Sequence, residues 1–178
     1  FYPVKVLLTA GVLWHFRDVY QFRGYRPDAI TVAIGAVTFI VWMKLAAPSD
    51  ELSALYSQQF EDWPVMLTLG WLLFRVLGSA ITVPLAEELA FRGYLLARLG
   101  GNQPAINSRL PFSLFALVIS SLLFGLLHAS WIAGIFAGAA YGWARYRRGH
   151  TGDAVVAHMV TNALLCVYVL VTGSWSYW

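Results

Sequence analysis

Three short clusters hold most of the ionisable and amide side chains that interrupt an otherwise apolar sequence: Glu87, Glu88 and Arg92; Phe124 and His128; His158 and Asn162. A charge at the centre of a membrane-spanning helix costs about 2.5–3.5 kcal/mol on insertion scales, so three charges within six residues persist only with a partner network and a function. On a helix Glu88 and Arg92, four residues apart, share a face and can pair, whereas Glu87 projects about 100° away and is left free. Desolvation makes a glutamate in an apolar pocket harder to ionise, which is how carboxylates become general bases near neutral pH. Phe124 to His128 and His158 to Asn162 repeat the four-residue spacing, and each pair presents its members one turn apart on one face. A base, two imidazoles and an amide donor that converge on one water are the parts of a hydrolytic site.

Each cluster also has a plainer reading. Glu88 with Arg92 suits a structural ion pair, His128 a hydrogen-bonded core histidine, and His158 with Asn162 an interhelical bridge at about 0.6 kcal/mol per bond. Their coincidence favours chemistry, since nearly all ionisable side chains in the apolar runs fall in these clusters. Arg75 is the exception, a charge in an apolar run that either snorkels or pairs with a carboxylate the sequence does not identify. His15 and His150 lie beside loop arginines and read as interfacial.

The elements that must position these residues follow from composition. At 59% hydrophobic and 12% charged, with mean hydropathy +0.63, the 178 residues are far more apolar than a soluble domain, whose charged fraction is about 25%. The apolar runs are too long and too free of two-residue alternation for barrel strands. The expected fold is therefore all-α, a polytopic transmembrane bundle of about six to eight helices. Spans are expected over Tyr2–Phe16, Ala29–Ala47, Trp63–Leu99, Leu110–His128, Ser130–Ala144 and Ala154–Thr172. The third is too long for one straight crossing at about 1.5 Å per residue, and Pro84 is placed to kink or restart it. With no internal repeat and no low-complexity linker, residues 1–178 read as one domain, with a motif core over 64–172. The first residue is Phe1 rather than methionine, so the chain reads as shortened at its N-terminus. Cys166, in an apolar run, reads as a small buried hydrophobe.

Charge orients the bundle. Arg17, Arg23 and Arg26, then Arg98 and Arg109, then Arg145, Arg147 and Arg148 fall in alternate connections, while Asp50, Glu51, Glu61 and Asp62 share another. The positive-inside rule places the arginine loops in the cytoplasm and the acidic loop outside, with Trp175-Ser176-Tyr177-Trp178 as an aromatic belt at the outer interface. An anionic lipid surface accounts for the net charge of +3, and no nucleic-acid partner is implied. Gly134, Gly138 and Gly142 form a small-residue ladder that favours packing inside the bundle over dimerisation. One tension remains at this level: His158 falls near the arginine face and His128 near the other, so tilted helices or shifted boundaries are needed for them to meet.

Taken in order on successive helices, Glu87-Glu88-x-x-x-Arg92, Phe124-x-x-x-His128 and His158-x-x-x-Asn162 resemble the three motifs of the CPBP family, the CAAX-protease and bacteriocin-processing intramembrane endopeptidases, over about Pro64 to Thr172. All motif positions are occupied. The stretch from Tyr2-Pro3-Val4-Lys5 to Ala47 is also similar to the CAAX-protease-related proteins that accompany exosortase sorting systems. Family members usually have about eight spans, more than the six or seven read here. The resemblance implies that Glu87 activates the hydrolytic water, His128 holds it, His158 and Asn162 stabilise the oxyanion, and Glu88 and Arg92 support the helix of Glu87. It implies a peptide or protein substrate at the membrane, prenylated or bearing a sorting signal, a location in the bacterial inner membrane, and no cofactor. Three rivals stand beside it: a non-proteolytic family member acting as a membrane chaperone, immunity or binding protein; a zinc protease, although His-Glu-x-x-His is absent; and a proton-coupled transporter, although no repeat is seen.

Overall fold

In the computed structural model the chain is described at residues 1–20, 22, 24–104 and 106–178; the expected loop charge Arg23 lies outside the described residues. The described residues form seven helices and no strand: α1 (Tyr2–His15), α2 (Ala29–Leu45), α3 (Asp50–Asp62), α4 (Val65–Leu99), α5 (Leu114–Leu126), α6 (Trp131–Arg148) and α7 (Thr151–Thr172), followed by a 3-10 turn at Trp175–Tyr177. Two of these, α4 and α7, are long and apolar enough to cross a membrane, and α2 with α3 makes a third candidate bent by 107°.

Burial is inverted relative to a water-soluble protein. The interior holds Glu88, Arg92, Arg145, Asp153, His158 and several threonines among small residues, while leucines, valines and phenylalanines of every helix face outward. Lipid solvates apolar side chains as well as a core does, so helices associate through small residues and satisfied polar groups instead. A Cβ on Gly134 would stand 2.9 Å from the Cα of Gly125, and one on Gly138 2.9 Å from the Cα of Ser121, so the glycine ladder draws α6 onto α5 within the bundle. Gly35 of α2 meets the Ala157 carbonyl of α7 in the same way, and Thr161 Oγ1 donates to the Gly35 carbonyl at 2.8 Å.

The boundaries correct five expectations. The acidic stretch expected as a loop is helix α3: Ser49 caps it by accepting from Leu52 N, and Asp50 and Glu51 face the positive end of its dipole. The expected start at Leu110 moves to Leu114, because Pro111 and the Ser113 cap, which accepts from Ala116 N, set the first turn. The arginines expected in a loop form the last turn of α6, which ends at Gly149 with φ +78°, and α7 begins at Thr151 rather than Ala154. Pro84 does not restart α4. The helix runs through, with π-helical turns at Gly78–Thr82 and Leu89–Leu95 on either side; Pro84 offers no N–H to the carbonyls of the turn before it, and the Ser79 carbonyl accepts from Asn162 Nδ2 instead.

The two ends differ in character. At one, Arg147 makes hydrogen bonds of 2.7 and 2.6 Å to Asp28 and one of 2.9 Å to Thr31, while Arg148 and Tyr25 both reach Asp153, at 3.2 and 2.9 Å. The Arg147 guanidinium, followed by the Thr31 amide, holds the Asp28 carboxyl well below the usual range. At the other end α3 packs on the C-terminal turn, with Phe60, Trp71, Trp175 and Trp178 in contact.

Candidate active site

Glu87, His128, His158 and Asn162 line one cavity of about 240 Å³, together with Phe124. The tension over His128 and His158 disappears because α5 is short and α7 starts early: His158 lies seven residues inside α7, and His128 just past the last turn of α5. Arg75, Ser79, Val83 and Glu87, each four residues on, form the wall that α4 contributes.

Glu88 and Arg92 are fully buried and paired, with Arg92 Nη1 3.1 Å from Glu88 Oε2. Arg92 Nη2 also donates to the Gly138 carbonyl at 2.7 Å, and its guanidinium lies 4.4 Å from the Phe124 ring centroid. One side chain thus ties α4 to α6 and α5. Glu88 has a second partner that the spacing of the motifs does not disclose: His158 Nδ1 lies 2.9 Å from its Oε1. With Glu88 as the acceptor, Nδ1–H is the donor, and in the neutral form of the imidazole Nε2 is then the acceptor that remains. Tyr141 stacks on the same imidazole at 4.6 Å and 17°.

His128 is fixed by a similar device. Its Nδ1 lies 2.8 Å from the Phe124 carbonyl, which can only accept, so Nε2 is again the free acceptor. The Phe124 ring touches both imidazoles, at 4.8 and 5.8 Å, and Trp42 closes on His128 edge-on at 5.6 Å. Asn162 Nδ2 donates to the Ser79 carbonyl at 2.8 Å, which uses one amide hydrogen and leaves the second. Glu87 is half-buried, and its Oε2 has no hydrogen-bond partner. The pair thus divides as the spacing predicts: Glu88 is locked and Glu87 is free.

Three contributors escaped the sequence. Tyr141 was signalled only by its place on the helix of the glycine ladder, Trp42 by nothing beyond its aromatic type, and Ser79 by its backbone alone. Arg75 is accounted for without a carboxylate, its guanidinium lying 4.4 Å from the Tyr2 ring and 5.7 Å from that of Trp178. No group of three His, Cys, Asp or Glu side chains with the geometry of a metal site occurs among the described residues. A larger apolar cavity of about 640 Å³, lined by Val12, Leu13, Leu89, Gly93 and Ile106, lies against another stretch of α4 and contains none of these site residues.

The family model described as Rce1-like, type II CAAX prenyl endopeptidase Rce1-like, matches residues 69–164, which include all three motifs. No curated protein and no solved structure matches the chain.

Proposed function

The chain belongs to the Rce1-like family of type II CAAX prenyl endopeptidases, and from this membership we propose an intramembrane endopeptidase that cleaves a membrane-associated protein with a water activated by Glu87. The family is one of membrane proteases, and the outward-facing apolar helices are those of an integral membrane protein. The observation that carries the finer reading is the shared cavity: an unengaged carboxylate, two imidazoles with free acceptor nitrogens, and an amide with a spare N–H face one volume.

In this reading the water donates one hydrogen to Glu87 and the other to His128 Nε2. Glu87 takes the proton as the oxygen attacks the carbonyl carbon, and the spare Asn162 N–H meets the developing oxyanion. His158, with Nδ1–H spent on Glu88, is better suited to move the proton to the leaving nitrogen than to the oxyanion role its motif implies. Glu88 orients that imidazole, as a buried carboxylate does in a hydrolase triad. Arg92 offsets the charge of Glu88. By the positive-inside rule the basic end of the bundle faces the cytoplasm.

The test is cleavage and binding of a prenylated peptide with a Cys-aliphatic-aliphatic-X end by the parent and by Glu87→Gln, with and without a strong chelator. Glu87→Gln keeps the shape of the pocket and removes the base, so turnover should collapse while binding holds. Retained turnover would remove Glu87 from catalysis. Loss of the parent's activity to the chelator, restored by added metal, would replace this mechanism with a metal-bound nucleophile. Binding by the parent without any cleavage would favour the chaperone or binding role.

A further inference from the structure

Arg75 is the one arginine that lines the candidate catalytic cavity, and among the described residues it has no carboxylate partner. Its Nε is buried and makes no hydrogen bond. Tyr2 and Trp178 instead meet the guanidinium, at 4.4 and 5.7 Å from their ring centroids. A ring stacked on a guanidinium covers its flat face and leaves its N–H groups pointing outward along the edge, the arrangement that grips a carboxylate in two parallel hydrogen bonds. Contact with two rings also restricts rotamer freedom that binding would otherwise have to remove.

Charge along the cavity is polarised. Lys5 and Arg75 line it toward the end where the C-terminal turn packs, and Glu87 lies three four-residue steps further along α4. Lys5 is exposed as well as cavity-lining, so that end is open to the surroundings. A peptide entering with a carboxylate near Arg75 has its anionic end attracted there and repelled from Glu87. The twelve residues from Arg75 to Glu87 rise about 18 Å along the helix, the length of about five residues of extended peptide. His158, bonded to Glu88, then faces the peptide near Glu87, and the spare Asn162 N–H, held at the Ser79 carbonyl, lies between the two ends.

We infer that Arg75, clamped by Tyr2 and Trp178, is the specificity-determining residue that anchors a substrate carboxylate and so sets how far from that carboxylate the chain is cut. The inference rests on the endopeptidase reading for the identity of the ligand as a peptide, and its test is independent of turnover. The carboxylate has two possible sources, a free C-terminus or an acidic side chain, which the experiment separates.

The full chain carrying Glu87→Gln is purified in micelles and mixed with a pool of octapeptides randomised over apolar and small residues, made as C-terminal acids and as C-terminal amides. A third pool is amidated but carries one Asp or Glu. Peptides retained after gel filtration are counted by mass spectrometry. The expected result is preferential retention of one carboxylate-bearing pool over the plain amides by roughly tenfold to hundredfold, the range of a hydrogen-bonded charge pair. Retention of the acids identifies a C-terminal carboxylate, and retention of the third pool an acidic side chain. Adding Arg75→Gln, which keeps length and loses charge, should erase the preference, and Arg75→Lys should restore part of it. Equal retention of acids, acidic amides and plain amides, or retention of none, overturns the inference, as would an arginine that merely snorkels to lipid phosphates. A preference that survives Arg75→Gln also overturns it. Should Glu87→Gln turn over substrate as the parent does while the preference persists, the glutamate mechanism fails and the anchor stands.

Discussion

Replacing Arg92 with methionine probes the centre of the bundle. The substitution keeps the apolar stem and removes a guanidinium that is fully buried, 3.1 Å from Glu88 and 2.7 Å from the Gly138 carbonyl. What remains is a carboxylate at 0% exposure whose last partner is His158. Breaking a buried pair on one side costs about 3–5 kcal/mol, because the surviving charge loses its compensation without regaining water. The stacking of Arg92 on Phe124 falls within that figure, since contacts that share one group are not additive. Removing both charges in Glu88→Gln with Arg92→Met should recover most of the loss, as neutral replacements of buried pairs commonly do. The assay is unfolding by SDS titration of micelle-held protein, followed by tryptophan fluorescence, for the parent, both single variants and the double variant. If Arg92→Met unfolds within about 1 kcal/mol of the parent, or if the losses simply add in the double variant, the pair does not hold α4 in place.

Two further perturbations test the frame around the site. Gly138→Val places its Cβ 2.9 Å from the Ser121 Cα, backbone against backbone, and should destabilise by about 1–3 kcal/mol in the same titration, whereas Gly70→Ala, with nothing within 4 Å, should be neutral or slightly stabilising. His150 caps α7 by accepting from Gly152 N at 2.9 Å, and burial pushes the pKa of its imidazole down. The unfolded chain therefore takes up the proton first, so stability is full above about pH 6.5 and falls as the pH drops toward the lower folded value; His150→Asn, a cap that does not titrate, should flatten the curve.

The membrane-bundle architecture and the grouping of the site residues were legible because they rest on composition and a repeated four-residue spacing, both local properties. Glu88 with Arg92 is a same-helix pair and was readable for that reason. The bond from His158 to Glu88 joins residues seventy positions apart and depends on the angle between two helices. Nothing in either motif carries that angle. The stacking of Tyr141 on His158 and the clamp on Arg75 are hidden for the same reason, since an aromatic in an apolar run looks the same whether it meets lipid or an imidazole. Helix α3 is hidden because its charges suggest a loop, although Ser49 followed by Asp50 and Glu51 is a helix start. The extension of α6 through three arginines is hidden in the same way. Cations in a last turn oppose the negative end of the helix dipole and favour helix there.

The π-helical turns make the cavity depend on counting as well as chemistry. In an ideal α-helix a step of four residues overshoots a full turn by about 40°, so Arg75, Ser79, Val83 and Glu87 would fan across about 120°. They line one wall because the wider turn at Gly78–Thr82 takes in a surplus residue. Deleting a residue there would leave hydropathy, charge and every motif intact while rotating the arginine end of the wall away from the glutamate. The gap between Arg75 and Glu87 is thus a fixed ruler in the sequence, and the number of its residues constrains the site as tightly as their identities.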